Sequence, residues 1–323
     1  MTAPTRAGGG SAEPSNGTAW QSPLAMELYP RVCPICGSPD AREVAPANFD
    51  PNHFDSFAFS SRKRPEYMHL RLCECAACDM LYSSPAPARE ALERAYHAAA
   101  FDASTESRYA AQTYGSFLPR IVQRLPSRDG ALDIGTGDGA FLAELVKAGF
   151  EGVTGVEPSS APIEAADPAV RDLIRHSPFR PEDFVAEQFR LVTCFQTMEH
   201  VFDPLQLCRD AHRITKPGGA FFIVCHNRRA VLARILGRRS PIYDVEHLQL
   251  FSPRSVRVLL ERAGFRDVEV RPVINRYPSH YWAKLLPVPG RLKDRLLGAL
   301  DRSGLGALTL AAPVGNLAAI AWR

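Results

Sequence analysis

From residue 130 onward, short apolar runs alternate with stretches whose apolar positions recur at helical spacing. The runs Ala131–Ile134, Gly152–Val156, Arg190–Phe195, Ala220–Cys225 and Asp267–Val273 read as strands. Between them, Phe141, Leu142 and Leu145 share one face of a helix that runs to Lys147. Asp203-Pro204 has the cap and first-turn chemistry of a helix reaching toward Ile214, and Ser252-Pro253 opens another that stops at Gly264. Strands alternating with helices predict a mostly parallel sheet covered on both faces, with ligands at the carboxyl ends of the strands. The uncharged stretch Ser303–Trp322 holds Pro313, Asn316 and three glycines. It predicts a turn at Pro313–Asn316 rather than a membrane span, after which Leu317–Trp322 returns as an antiparallel last strand.

Ahead of this alternating region, residues 88–125 read as helical, with apolar positions at Leu92, Tyr96, Ala99, Phe117, Ile121 and Val122. Residues 88–129 are therefore expected to be a helical connector, preceded by a boundary at Ser83-Ser84-Pro85-Ala86-Pro87. Tyr67–Cys73 alternates as a half-buried strand does. Residues 1–25 are dominated by Gly, Ser, Pro and Ala, lack the apolar core of a signal peptide, and are expected to be a disordered tail.

The 323 residues leave room for about two domains and a sizeable core. Lys plus Arg is 38 and Asp plus Glu is 35, a net charge of +3, which argues against a nucleic-acid surface. Of the eight cysteines, five lie between Cys33 and Cys78, while Cys194, Cys208 and Cys225 sit in apolar runs as small buried hydrophobes. This is not a disulfide framework, and it places the chain in the cytoplasm.

Cys33-Pro-Ile-Cys36 and Cys75-Ala-Ala-Cys78 are two C-x-x-C pairs. Two thiolates at that spacing reach one metal from a tight turn, and two such turns close a tetrahedral four-sulfur zinc site. A closed site leaves no position for water, so the metal is structural. Cys73 is a fifth candidate at a less suitable spacing. The plain alternatives are four reduced thiols without metal, or a redox pair, although no thioredoxin-like βαβ unit surrounds them. Residues 26–87 are expected to form this small zinc-binding domain.

Leu132-Asp133-Ile134-Gly135-Thr136-Gly137-Asp138-Gly139-Ala140-Phe141 reads as a strand, a glycine-rich turn and a helix start. Gly135 and Gly137 let the backbone approach a ligand closely. Val156-Glu157-Pro158 ends the next strand with an acid able to accept both hydroxyls of a ribose. Together they point to an adenosine-containing ligand. Gly135, Gly137 and Ala140 also satisfy G-x-G-x-x-A, so an NAD-dependent oxidoreductase stays open at this point.

The stretch ALDIGTGDGAFL resembles motif I of the class I S-adenosylmethionine (SAM) methyltransferases, which carry an acid where Asp133 stands. Met198-Glu199-His200-Val201-Phe202-Asp203-Pro204 is similar to their segment after the fourth strand, and Lys216-Pro217-Gly218-Gly219 to the turn before the fifth. Glu246–Ser252, followed by a helix ending Ala263-Gly264-Phe265, resembles a later segment of the same family. The C-x-x-C pairs resemble the zinc-binding domain ahead of some members, sugar C-methyltransferases among them. The resemblance covers residues 130–275 and implies an α/β, Rossmann-like seven-stranded sheet over residues 130–323, with 275–312 as an acceptor-side insertion carrying Tyr277, Tyr281 and Trp282.

It also implies roles. Asp133 lies near the methionine ammonium, Gly135 and Gly137 flank methionine and ribose, Glu157 takes the ribose hydroxyls, Phe179 walls the adenine, and Gln196 sits near the sulfonium. Phe189-Arg190 departs from the family, which often has an acid after that Phe, and Arg190 receives no role. The implied reaction is methyl transfer from SAM to a small-molecule or carbohydrate acceptor, on oxygen rather than carbon. A hydroxyl acceptor benefits from a general base. His200 is the first candidate and His247 the second, with His226 behind them; packing is the plain alternative for each. Some quinone O-methyltransferases bind a divalent cation through Glu-x-x-Glu-His, but Gln196 replaces the first acid here, which weakens such a site. The arginines Arg228, Arg229, Arg234, Arg238 and Arg239 are either a solvated helix face or a patch for an anionic acceptor. A catalytically silent SAM-fold protein that presents the knuckle to a partner is the remaining rival.

Overall fold

The computed structural model describes residues 28–48, 67–92, 104–286 and 288–323. The expected 1–25 tail lies outside them. Strands β1 (Leu28–Tyr29), β2 (Ala41–Ala45), β3 (Leu72–Cys75), β4 (Leu81–Ser83) and β5 (Ala86–Pro87) make the amino-terminal part. Helices α1 (Ser104–Gly115) and α2 (Leu118–Val122) lead into β6 (Asp129–Ile134), α3 (Ala140–Lys147) and β7 (Glu151–Glu157). Next come α4 (Ser160–Glu164), α5 (Pro168–Arg171), β8 (Ile174–His176), β9 (Phe189–Phe195), α6 (Pro204–Ile214) and β10 (Thr215–His226). The chain ends through α7 (Val231–Leu236), β11 (Gln249–Leu250), α8 (Pro253–Arg262), β12 (Arg266–Pro278), α9 (Ser279–Leu285), α10 (Gly290–Ser303) and β13 (Thr309–Trp322).

The large sheet has seven strands in the order β12-β13-β10-β9-β6-β7-β8. β8, β7, β6, β9 and β10 run parallel, while β13 runs antiparallel to both β10 and β12. Side-chain alternation divides the core between its two faces. Phe221, Ile223 and Cys225 pack with Cys208, Ile214, Leu259 and Leu260 under α6 and α8. Phe222 and Val224 pack with Tyr114, Ile121, Phe141 and Leu145 under α1, α2 and α3. A strand buried on both faces is continuously apolar, which is why Ala220–Cys225 shows no polar alternation. The helix starts follow the sequence: Asp203 caps α6 by accepting the Gln206 N–H at 2.9 Å, and Ser252 and Ser255 form a capping box on α8.

Four local expectations need correction. Pro313–Asn316 is not a turn, because β13 runs through it. The pairing passes from Val273–Asn316 to Asn275–Ala312, a bulge with three residues opposite one, and Gly315 there has φ 126°. Lys216–Gly219 falls within β10 as an irregular lead-in, where the register against β9 shifts between Thr215 and Ala220. Tyr67–Leu70 is not strand; pairing starts at Leu72, and Tyr67 has φ 58°. Ser83–Pro87 is no open boundary: Ala86 and Pro87 are buried and pair with β1, while Ser84 Oγ bonds the Arg31 backbone.

A second sheet has the order β11-β4-β3-β2. Its edge strand β11 comes from the segment before α8, so a stretch of chain from beyond the large sheet's β10 completes the amino-terminal sheet. Cys33, Ile35, Met80 and Tyr82 belong to the same buried cluster as Phe251, Val256 and Leu260.

Candidate functional site

A cavity of about 1530 Å³ opens along the carboxyl ends of β6, β7, β9 and β10. Asp133, Gly135, Gly137, Glu157, Phe179 and Gln196 all line it, and so do His200, His226 and His247. The six residues assigned to the cofactor and the two assigned to catalysis thus meet in one space.

At one end the strand–loop–helix turn places Gly135, Gly137 and Gly139 at φ 72°, 58° and 72°. A Cβ on Gly135 would stand 2.5 Å from Thr197 Oγ1, whereas a Cβ on Gly137 would meet nothing within 4 Å, since that residue faces the cavity. Glu157 is buried. Its Oε2 accepts the Gly137 N–H and its Oε1 the Ser159 N–H, both at 2.9 Å. Each carboxylate oxygen has a second lone pair, so the acid is held in place and can still accept hydroxyls. Burial raises its pKa against the pull of these N–H groups. Asp133 is fully enclosed, accepts the Thr193 hydroxyl at 2.6 Å, and is pushed by burial up to about 6. An enclosed anion without a cationic partner is costly, so an ammonium group brought beside it is favoured.

Gln196 ends the strand at φ 50°, tied by its N–H to Val224 O. Its Nε2 and the Oδ1 of Asn275, another cavity residue, are buried with no hydrogen-bond partner among the described residues. Orphaned polar atoms on a cavity wall suit a polar ligand. Phe179 stacks on Phe184 with ring centroids 6.1 Å apart.

The other end is built on histidines. The His247 ring lies 4.9 Å from the His200 ring and 4.9 Å from the His226 ring, centroid to centroid. His200 Nδ1 meets Glu246 O at 3.2 Å, His247 Nδ1 meets Ile242 O at 2.8 Å, and His226 Nδ1 meets Asn316 Oδ1 at 2.9 Å. A carbonyl oxygen only accepts, so each neutral ring carries its proton on Nδ1 and keeps Nε2 as its basic nitrogen. Beneath them Glu199 is fully buried and pushed by burial up to about 7, and its Oε1 accepts the His226 N–H. Tyr277, Tyr281 and Trp282 form the far wall, with Tyr277 centroids 4.4 Å and 5.3 Å from the other two rings.

Sequence reasoning missed Asn275, Asn316 and Glu199. Asn316 is a single amide beside the apolar run Leu317–Trp322, and that is the signal that marks it; Asn275, next to Arg276 in a mixed strand, carries no such signal.

The arginine stretch splits. Arg228, with its side chain 5% exposed, pairs with Glu74 and with Asp79 at 3.4 Å, and Arg229 pairs with Asp79. Arg228 is therefore neither a solvated face nor an anion patch, while Arg229 stays exposed beside its acid. Arg234, Arg238 and Arg239 are exposed.

Away from the cavity, the Sγ atoms of Cys33, Cys36, Cys75 and Cys78 lie within 4.8 Å of one another, with Cys33–Cys78 at 3.4 Å and Cys36–Cys75 at 3.5 Å. The two turns are alike: Gly37 N–H bonds Cys33 O and Asp79 N–H bonds Cys75 O, with Gly37 at φ 73° and Asp79 at φ 64°. Cys73 is not in the cluster.

A family model described as a methyltransferase domain matches residues 106–270. The chain belongs to that family, and its sheet order and glycine loop are those of the class I, SAM-dependent methyltransferases, which sets the NAD-dependent alternative aside. Among its relatives, the ubiquinone biosynthesis O-methyltransferase of Pseudomonas syringae pv. tomato is 34% identical over 114 residues, covering 33% of this chain and 49% of that protein. The enzyme of the same name from Actinobacillus pleuropneumoniae is 32% identical over 118 residues, 33% and 50% respectively. The chain spans about half the length of the curated relatives it matches. A SAM-dependent methyltransferase from Archaeoglobus fulgidus is similar in structure at TM-score 0.47 and 18% identity, covering 68% of this chain and 97% of the other. At that score and identity the likeness gives no argument about what this chain acts on. Among the described residues, no helix is long and apolar enough to cross a membrane.

Proposed function

We propose that this chain is a SAM-dependent O-methyltransferase acting on a small, hydroxyl-bearing acceptor, with a structural zinc in an amino-terminal knuckle domain. The observation that carries the reading is the single cavity joining the acid-flanked glycine loop to the histidine cluster. The names of the relatives support oxygen as the methylated atom.

The donor supplies a methyl group on a sulfonium that is already a good leaving group. The protein's work is therefore alignment, exclusion of water and handling of one proton. Asp133 holds the ammonium, Glu157 the ribose hydroxyls and Phe179 the adenine, while the Gln196 amide lies at the strand end between the two halves. His200, with Nδ1 protonated by its bond to Glu246 O, takes the acceptor's proton at Nε2, and His247 packs beside it. The acceptor end carries aromatic rings, amides and the acids Asp244 and Glu246, and Arg228 and Arg229 are engaged elsewhere. A neutral acceptor suits that wall better than an anionic one. At the knuckle, four sulfurs about 2.3 Å from a tetrahedral zinc would lie about 3.8 Å from one another, and the cysteine cluster fits that shape.

Calorimetric titration with SAM, with NADH as the control, tests the cofactor. SAM is expected to bind saturably and NADH to give no heat. Glu157→Ala should weaken SAM by about 10-fold or more, the loss of charge-assisted hydrogen bonds. Unchanged binding would remove Glu157 from the site. An acceptor screen then starts with phenols.

A further inference from the structure

The contacts of the cysteine knuckle fall on one half of the cavity. Residues 244–252 carry Asp244, Glu246 and His247; on one side the Leu248 and Gln249 N–H groups donate to Glu199 O at 2.9 Å and 3.4 Å, and on the other the segment is held by the knuckle part. β11 pairs antiparallel with β4, Leu250 with Leu81 and Gln249 with Tyr82, and the Ser83 N–H donates to Leu248 O at 2.8 Å. The turns that carry the cysteines continue the grip. Ser252 Oγ reaches Asp79 O at 3.5 Å, and Arg254 donates to Ala77 O, between the second pair of cysteines, at 2.7 Å. Arg228, whose N–H donates to Phe251 O at 2.8 Å, pairs with Glu74 and Asp79 on either side of Cys75–Cys78. From the first turn, Arg31 donates to Phe202 O at 3.0 Å and to Gln249 Oε1 at 3.4 Å. Gln249 in turn donates to Met198 O and Val201 O, closing the turn that carries His200.

The donor half is held differently. The glycine loop and Glu157 are fixed by β6, β7 and α3 and by bonds within that unit: Gly137 and Ser159 to Glu157, Thr193 to Asp133.

We propose that the knuckle is the positioning element of the acceptor half of the cavity: metal at Cys33, Cys36, Cys75 and Cys78, transmitted through Glu74, Asp79, Arg228 and β4, fixes the 244–252 segment and with it His247. This deepens the methyltransferase reading and rests on it. Glu74, Asp79 and Arg228 are positioning residues that touch no substrate. The physical basis is a buried guanidinium, which needs both carboxylates where the closed turns place them. When the turns open, Arg228 and the β11 ladder lose their partners together, while the bonds of the donor half stay intact.

The test is hydrogen–deuterium exchange of the full chain, with SAM titration alongside, on three samples: zinc-loaded protein, protein stripped by a zinc chelator, and zinc-loaded Arg228→Met. Exchange in 244–252 should rise about 10-fold in the last two, while exchange in 133–157 and the affinity for SAM stay within about twofold. Arg228→Lys, which keeps the charge but not the fork, should restore part of the protection. A purely structural knuckle would loosen both halves together, so exchange rising equally in 133–157 overturns the proposal. Unchanged protection of 244–252 in Arg228→Met overturns it too. A chain that carries no zinc and ignores the chelator overturns the metal's part. Should the stripped protein unfold, Arg228→Met still decides. Failure of the zinc-loaded wild type to bind SAM would instead sink the methyltransferase reading and leave the exchange comparison standing.

Discussion

Asp133 shows what burial does to a single carboxyl group. Its pKa in the fold, about 6, lies above the ordinary aspartate value of about 4, so the folded protein holds a proton that the unfolded chain releases in that window. Stability therefore falls as pH rises from about 4 to about 6 and is level above. In the proposed SAM site binding runs the other way, because an ammonium beside Asp133 needs the ionised carboxylate. At pH 5 about a tenth of the acid is ionised, so SAM should bind about 10-fold more weakly than at pH 7.5. Calorimetry at the two pH values checks this, and Asp133→Asn should bind weakly and equally at both. An unchanged affinity at pH 5 would mean that the ammonium sits elsewhere. That Asp133 would line the cavity was legible from its place in the glycine motif. That it would be fully enclosed was not, because enclosure comes from Thr193 and from the sheet on either side.

Among elements, those whose signals are local were the legible ones. The starts of α6 and α8 follow from Asp203-Pro204 and Ser252-Pro253, since a cap is chemistry between residues three apart. Ser252→Ala should cost about 1 kcal/mol by removing the cap, seen as a lower midpoint in thermal unfolding. Because Ser252 also reaches Asp79 O, a double mutant with Arg254→Ala would show whether the cap and the knuckle contact act independently. The illegible elements depend on a distant partner. Pro313-Val314-Gly315-Asn316 has the composition of a turn, yet the pairing of Asn316 with β10 and β12 and of Ala312 with β12 carries the strand through it as a bulge. That bulge flanks Asn275 and Asn316 on the cavity wall, so the element least readable in sequence carries the amide that orients His226.

Across the whole molecule, the division into a four-cysteine part and a methyltransferase part meets a shared core. Ile35, Met80 and Tyr82 are packed in one cluster with Phe251, Val256 and Leu260. Burying each such side chain is worth about 1.5–3 kcal/mol, so residues 104–323 produced alone should aggregate or elute as large species in size-exclusion chromatography. A monodisperse fragment with the full chain's SAM affinity would establish two independent units. By itself the sequence determined the strand and helix alternation, the glycine loop with its acid, and the two cysteine turns. Each of these is a periodicity or a spacing confined to neighbouring residues. Tertiary structure alone decided that three histidines would meet, that Glu199 would lie buried beneath them, and that Arg228 would face Glu74, 154 residues away in the chain. Those contacts depend on how the two sheets join, and no local pattern encodes the distance between residues that only folding brings together.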